Sequence, residues 1–306
     1  MSWHKTDDPA CNADRREDPV ALVIEPRERD LGGFSVRRVL PSSKQRSLGP
    51  FVFFDQMGPS SLAAGKGIDV RPHPHIGLAT LTWMVDGEIR HRDSLGNVQD
   101  IKAGAVNWMI AGRGIVHSER SPDHERARPS KLFGIQTWLA LPRPSEEVAP
   151  AFVHYPAKEI PRQSKDGVNL SVIAGTGWGL ESPVTVYSPT LYADIRLDAG
   201  STIQIDTEHD ERGVYVLSGS ISLGSKTKFE AGRMMVLTPG RDVTLRADVN
   251  AHVVVVGGQP LDGRRHIWWN FVSSRPERIE QAKADWAHGR FGNVPDDDEF
   301  IPLPSD

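Results

Sequence analysis

Two short segments of this sequence pair metal-ligand residue types at a spacing of two: His73 and His75 in PHPHIGLATLTWMVDG, and His117 and Glu119 in AGRGIVHSE. In an extended strand successive side chains alternate between faces, so each pair directs both polar groups to one side. Two such strands lying together would offer three neutral imidazole nitrogens and one carboxylate oxygen to a single point. That donor set suits one divalent first-row metal held at about 2.0–2.2 Å. A lone strand histidine is more often a packed or surface group, and hydrogen-bonded core histidines are the alternative reading. Two pairs with the same spacing in one strand-rich region favour the metal.

If the first strand runs on without a bulge, Gly77, Ala79, Leu81 and Trp83 share the ligand face. Small residues then lie beside the ligands and large apolar ones beyond them, which predicts an apolar pocket floored by Leu81 and Trp83. His91 and Asp93, in IRHRDSLG, are again two apart. They fit a turn first, and second a pair that orients a metal-bound imidazole through its other ring nitrogen. Arg113, in a short G-R-G run, reads as a surface turn without the helix context of a phosphate loop. His266 beside Trp268 and Trp269 reads as aromatic packing. No Ser-His-Asp order, P-loop or zinc-finger spacing competes with the paired ligands.

The elements that must position these residues are strands. The chain of 306 residues exceeds what one core usually serves, and its 28 glycines and 23 prolines punctuate short apolar segments such as FVFF at 51–54, LATLTWMV at 78–85 and GIQTWLAL at 134–141. A Pro- and charge-rich stretch at 142–162 interrupts this rhythm, which resumes in GVYVLSGSISL, RMMVLTPG and HVVVVGG. The expected organisation is a polar, disordered tail over 1–18 and a first, metal-binding domain over 19–145. A linker follows over 146–165, then a second domain over 166–272, and a helix with a tail over 273–306. The helix is expected at 276–288, with Pro276 in its first turn after Ser274 and Gly289 past its end.

A net charge of −4 and the lack of a long Lys/Arg run give no electrostatic reason to expect a nucleic-acid or membrane partner. Cys11 is the only cysteine, so neither an intrachain disulfide nor a cysteine metal site can form. No apolar run approaches the roughly 20 residues that span a bilayer, and the opening residues lack the apolar core of a secretory signal. A monomer in the cytoplasm is expected.

The ligand segments resemble the two cupin motifs. His73, His75 and Gly87 take their places in the first, and Gly114 and His117 in the second; Thr80 stands where most cupins put glutamate. Gly112 replaces a proline, Ser121 an asparagine, and Gly104 comes two residues early. With RDLGGFSVRRVLP, GPFVFFDQMGP, HRDSLG and GAVNWMIAGRGIVHSE, the stretch from about 29 to 140 resembles the pirin family, which shares those departures.

That resemblance implies an all-β fold of two tandem cupin (jelly-roll) barrels with a short C-terminal helix. It makes Glu119 the replacement for the missing glutamate, and so assigns the metal to His73, His75, His117 and Glu119. Iron(II) is the implied ion; nickel, manganese, copper, cobalt and zinc also suit the donors. The second half resembles a cupin more loosely, with Ile205, Thr207 and Arg212 at the positions of His73, His75 and Thr80, and His209 expected at the surface or in a loop. The second barrel is therefore expected to be metal-free. The implied activity is that of a quercetin 2,3-dioxygenase on a small aromatic substrate, with Glu119 as the catalytic base. The alternative is a redox-sensitive iron protein that regulates a protein partner. A metal-dependent isomerase on the same frame ranks below both.

Overall fold

The structure is a computed structural model that describes residues 18–30, 34–224 and 227–305. Cys11 and all but the last residue of the expected tail lie outside the described residues. The chain forms two tandem β-barrels, each a sandwich of one long and one short antiparallel sheet, followed by a hairpin and a helix.

In the first barrel the short sheet runs in the order Asp69–His75, Ile115–Arg120, Glu88–Asp93, Val98–Lys102. Opposite it stands a seven-stranded sheet: Ala151–Tyr155, Val106–Ile110, Leu78–Asp86, Ser130–Ala140, Phe51–Leu62, Ser35–Leu40, Arg27–Asp30. The second barrel repeats the plan, with Glu211–Ser218, Ala251–Gly258, Thr190–Leu197 and Val168–Gly177 at the middle of its long sheet. Val20–Ile24 pairs antiparallel with Met234–Leu237, so the first strand among the described residues belongs to the second barrel. The Pro-rich connection also contributes to both sides. Ala151–Tyr155 pairs with Val106–Ile110 of the first barrel, and Arg162–Lys165 with Val168–Gly177 of the second.

The two long sheets pack face to face. Phe51 meets Tyr192 edge-on at 5.7 Å and Phe54 meets Tyr215 at 5.1 Å, within a core that also holds Leu81, Trp83, Trp108, Val254 and Val256. A sheet apolar on both faces shows unbroken apolar runs in place of alternation. In the run at 253–256, Val253 and Val255 fill the second barrel, whereas Val254 and Val256 face the first.

This packing corrects the pocket floor expected from strand parity. Strand Asp69–His75 ends at the second histidine, and the chain turns through Gly77, at φ +68°, before Leu78–Asp86 begins in the other sheet. A Cβ on Gly77 would stand 1.9 Å from the Val272 carbonyl oxygen, so only glycine fits this turn. The turn resets the facing: Leu81 and Trp83 lie between the barrels.

The helix spans Pro276–Ala287, with Pro276 at its first position and Gly289, at φ +69°, beyond its end. Arg275 rather than Ser274 holds the N-cap place; Ser274 donates its hydroxyl and its backbone N–H to Glu146. Ile279 and Ala282 are buried with Ile76 and Phe271, which seats the helix beside the end of the strand that carries His73 and His75. Among the described residues no helix is long and apolar enough to cross a membrane.

Candidate metal centre

Strands Asp69–His75 and Ile115–Arg120 are direct neighbours, with His117 opposite His73 and Ile115 opposite His75. The register shifts between His117 and Glu119, so Glu119 stands opposite Val70. His73, His75 and His117 each offer a ring nitrogen within 4.8 Å of the others, and all three are buried. His75 Nε2 and His117 Nε2 are 3.1 Å apart. Two ligands bound at about 2.1 Å and at right angles on one ion would sit about 3.0 Å apart, so this spacing fits a shared cation.

Burial decides the charge of these groups. It holds His73 down to about 4, against the Arg71 carbonyl, which accepts a hydrogen bond from His73 Nδ1 at 2.8 Å and favours the charged form. His75 and His117 are held well below the usual histidine value, first by burial and then by the neighbouring imidazoles. Three neutral rings with nitrogens turned to one point are suited to hold a divalent metal.

Glu119 lines the cavity onto which the three histidines open. Burial pushes its carboxyl up to about 7, only partly opposed by the Thr82 hydroxyl 3.4 Å away. The same hydroxyl oxygen lies 2.6 Å from Gln136 Oε1. A carboxyl with a value so near neutrality can hold or release a proton at working pH.

The cavity has a volume of about 380 Å³ and is mostly apolar. One wall is a stack: Phe53 and Trp138 lie 3.9 Å apart at 9°, and the Arg38 guanidinium sits 4.4 Å over the Phe53 ring. Arg38 is held by both oxygens of the buried Asp55, at 2.9 and 2.8 Å. Trp138 meets His75 edge-on at 5.0 Å, so the aromatic wall reaches the histidine cluster. Ile301, near the chain's end, closes another side; its N–H donates to the Pro72 carbonyl at 2.8 Å.

None of Arg38, Phe53, Gln136, Trp138 or Ile301 was singled out from sequence. They come from strands or a tail far from the ligands, and no local spacing marks them. His91 and Asp93 lie behind His117, bonded to each other at 2.9 Å, and Asp93 also accepts from the Leu95 and Asn97 backbones in the turn expected of it. Arg113 is exposed in a turn. His266 begins the hairpin whose Trp268, Trp269 and Phe271 pack together. In the second barrel Ile205 is part of the apolar interior, Thr207 is exposed, and the buried Arg212 bonds the Asp206 and Thr238 carbonyls. His209 lies in the loop between, buried rather than at the surface, donating to the Thr176 carbonyl at 3.0 Å.

A second group of ligand types, Glu88, His124 and Glu125, lies on the first barrel. Its carboxylates already face cations: Arg128 bonds Glu125, and Lys102 Nζ stands 3.9 Å from Glu88. It reads as an ion-pair network.

Sequence and structure comparisons agree. The model of the Pirin family matches residues 33–139, and that of the pirin C-terminal cupin domain matches residues 192–292. A pirin-like protein of Caulobacter vibrioides is 46% identical over 93% of this chain and 99% of its own. Mouse pirin is 32% identical over 89% of this chain and 93% of its own. The crystal structure of quercetin 2,3-dioxygenase from Acinetobacter baumannii superposes with a TM-score of 0.86 at 33% identity, covering 93% of this chain and 95% of that one.

Proposed function

This chain belongs to the pirin family, with two tandem cupin barrels, and from that premise we propose that it is a metal-dependent dioxygenase acting on a planar, hydroxylated aromatic substrate of the flavonol class, such as quercetin. The observation that carries this reading is the flat Phe53–Trp138 stack, which leads through an apolar cavity to three neutral imidazoles and one carboxyl near neutrality. In this reading His73, His75, His117 and Glu119 hold one divalent ion, iron(II) being the ion that the family resemblance implies. Such an ion acts as a Lewis acid on a substrate hydroxyl and supports dioxygen chemistry.

The protein's own groups do the rest. The aromatic wall orients a planar ring by stacking, and the apolar lining excludes water from the reacting face. Glu119, beside the substrate on the same cavity wall, is the group placed to take the proton of the substrate hydroxyl. The similarity to the Acinetobacter quercetin 2,3-dioxygenase supports the substrate class.

Oxygen uptake and flavonol loss, followed together on protein loaded separately with iron, nickel, manganese and copper, test the proposal. Coupled consumption is expected with at least one ion, and its loss along with bound metal in His73→Ala. No oxygen uptake with any ion would remove the enzyme reading.

A regulatory role is favoured by a different observation. Arg120, the residue after Glu119, bonds Asp297, Glu299 and Asp69, and so ties the ligand strand to an outer segment. A change of ion or oxidation state at Glu119 would reach the surface by this route. Recovery of a protein partner that differs between reduced and oxidised iron protein is the expected sign; equal recovery counts against it.

A further inference from the structure

We propose that His91 and Asp93 are positioning residues for the metal: acting as a relay, they fix the ring tautomer of His117 so that its Nε2 is the bare nitrogen. The inference rests on the metal-site reading above and concerns how one of its ligands is prepared.

The relay can be followed proton by proton from the fully buried Asp93. Asp93 Oδ1 accepts from Leu95 N at 2.9 Å, Asn97 N at 3.1 Å and Asn97 Nδ2 at 3.0 Å. Oδ2 accepts from Asn97 Nδ2 at 2.9 Å and faces His91 Nε2 at 2.9 Å. A carboxylate surrounded by donors carries no proton, so His91 Nε2 must supply the one it shares with Oδ2. The other nitrogen of a neutral His91 is then bare. It lies 3.3 Å from His117 Nδ1. Two bare nitrogens facing each other in a buried site repel, so His117 holds its proton on Nδ1 and donates it to His91. The nitrogen left bare on His117 is Nε2, the atom that stands 3.1 Å from His75 Nε2.

His91 is itself held. Its ring stacks on Phe152 at 4.3 Å and 12°, and its strand runs beside the ligand strand with Glu119 opposite His91 and His117 opposite Asp93. His73 meets the same need differently, through the Arg71 carbonyl. A backbone carbonyl cannot be altered by substitution, whereas the route behind His117 can. Outer partners of this kind are generally worth about 10–100-fold in metal affinity.

Asp93→Asn tests the relay at constant shape. The amide oxygen can keep the turn bonds, but its NH₂ then faces His91 and must donate. His91 would accept at Nε2 and donate from Nδ1, which drives the His117 proton onto Nε2 and blocks that ligand. His91→Phe keeps a ring on Phe152 but removes the acceptor, and His91→Gln restores an acceptor oxygen. Cobalt(II) binding by the full chain is read by competition and by the visible spectrum of the bound ion. Asp93→Asn and His91→Phe are expected to weaken cobalt binding about 10–100-fold and to alter the spectrum, with His91→Gln closer to wild type. Urea midpoints of the metal-free variants separate this from a loss of folding; should Asp93→Asn fail to fold, the two His91 variants decide. Wild-type affinity and spectrum in Asp93→Asn and His91→Phe would overturn the relay alone. Failure of the wild-type protein to bind cobalt at all would overturn the metal site and the relay together.

Discussion

Trp83 of the first barrel donates its indole N–H to Asp194 of the second, with 3.2 Å between Nε1 and Oδ2. The same oxygen accepts from His252 Nε2 at 2.6 Å. The barrels are thus joined by a directional polar contact at the margin of an apolar interface, and Tyr215 adds another by donating to Gln56 Oε1 at 2.7 Å. Asp194→Ala leaves two buried donors without a partner, each costing about 1–3 kcal/mol. We expect a loss of roughly 2–6 kcal/mol, read from urea unfolding followed by tryptophan fluorescence. An unchanged midpoint would mean that water replaces the carboxylate.

Metal uptake should depend on pH through Glu119. Folding raises this carboxyl from its ordinary 4.5 to about 7, so below about pH 7 the protonated form predominates in the metal-free protein. A group raised in this way contributes stability below about 4.5 and loses it as pH climbs through 7. Below 7 the metal must displace that proton, and apparent affinity should fall about tenfold per pH unit. The trend steepens near pH 4, where His73 begins to take a proton. Glu119→Gln should bind nickel more weakly at pH 8 but show no slope between pH 5 and 7. A wild-type affinity independent of pH over that range would exclude Glu119 as a ligand.

Phe53 supplies the outer ring of the stack beside the histidines. Phe53→Leu keeps an apolar side chain in the wall and removes one aromatic contact, worth about 0.5–1.5 kcal/mol. Binding of a planar flavonol should weaken roughly fivefold, with metal content unchanged. Fluorescence titration of the loaded protein measures both the ligand and its stoichiometry, and equal affinity in the variant would place the ring elsewhere.

Arg120 clamps the segment that carries Ile301 over the cavity. Its guanidinium bonds the sheltered carboxylate of Asp297 at 3.1 and 2.8 Å and Glu299 at 2.6 Å. Arg120→Gln should loosen that segment by about 1 kcal/mol, since exposed pairs contribute little individually and Asp297 is the sheltered one. The expected outcome is removal of bound nickel by a chelator several-fold faster than from wild type. The same rate in both would mean that chelator enters by another side.

The paired spacings were legible because period two is a local property. His73 with His75, and His117 with Glu119, share a strand face whichever strands lie alongside. The helix was legible from Pro276 and Gly289 for the same reason, since each acts on its own backbone. Leu81 and Trp83 were misplaced because parity holds only while a strand continues, and Gly77 ends it. The signal for that turn is a glycine whose Cβ would strike Val272, almost two hundred residues later.

The sequence by itself determined what each short segment can be: strand or turn, paired polar face or apolar run, because φ/ψ preference and alternation depend on neighbours in the chain. Only the tertiary structure decided which segments meet. It set His117 against His73 and His91 behind His117, stacked Phe53 on Trp138, and sent Val20–Ile24 to the second barrel. Strand pairing is made by backbone groups that every residue shares, so register and partner are chosen by the sum of long-range burial, which no local spacing records.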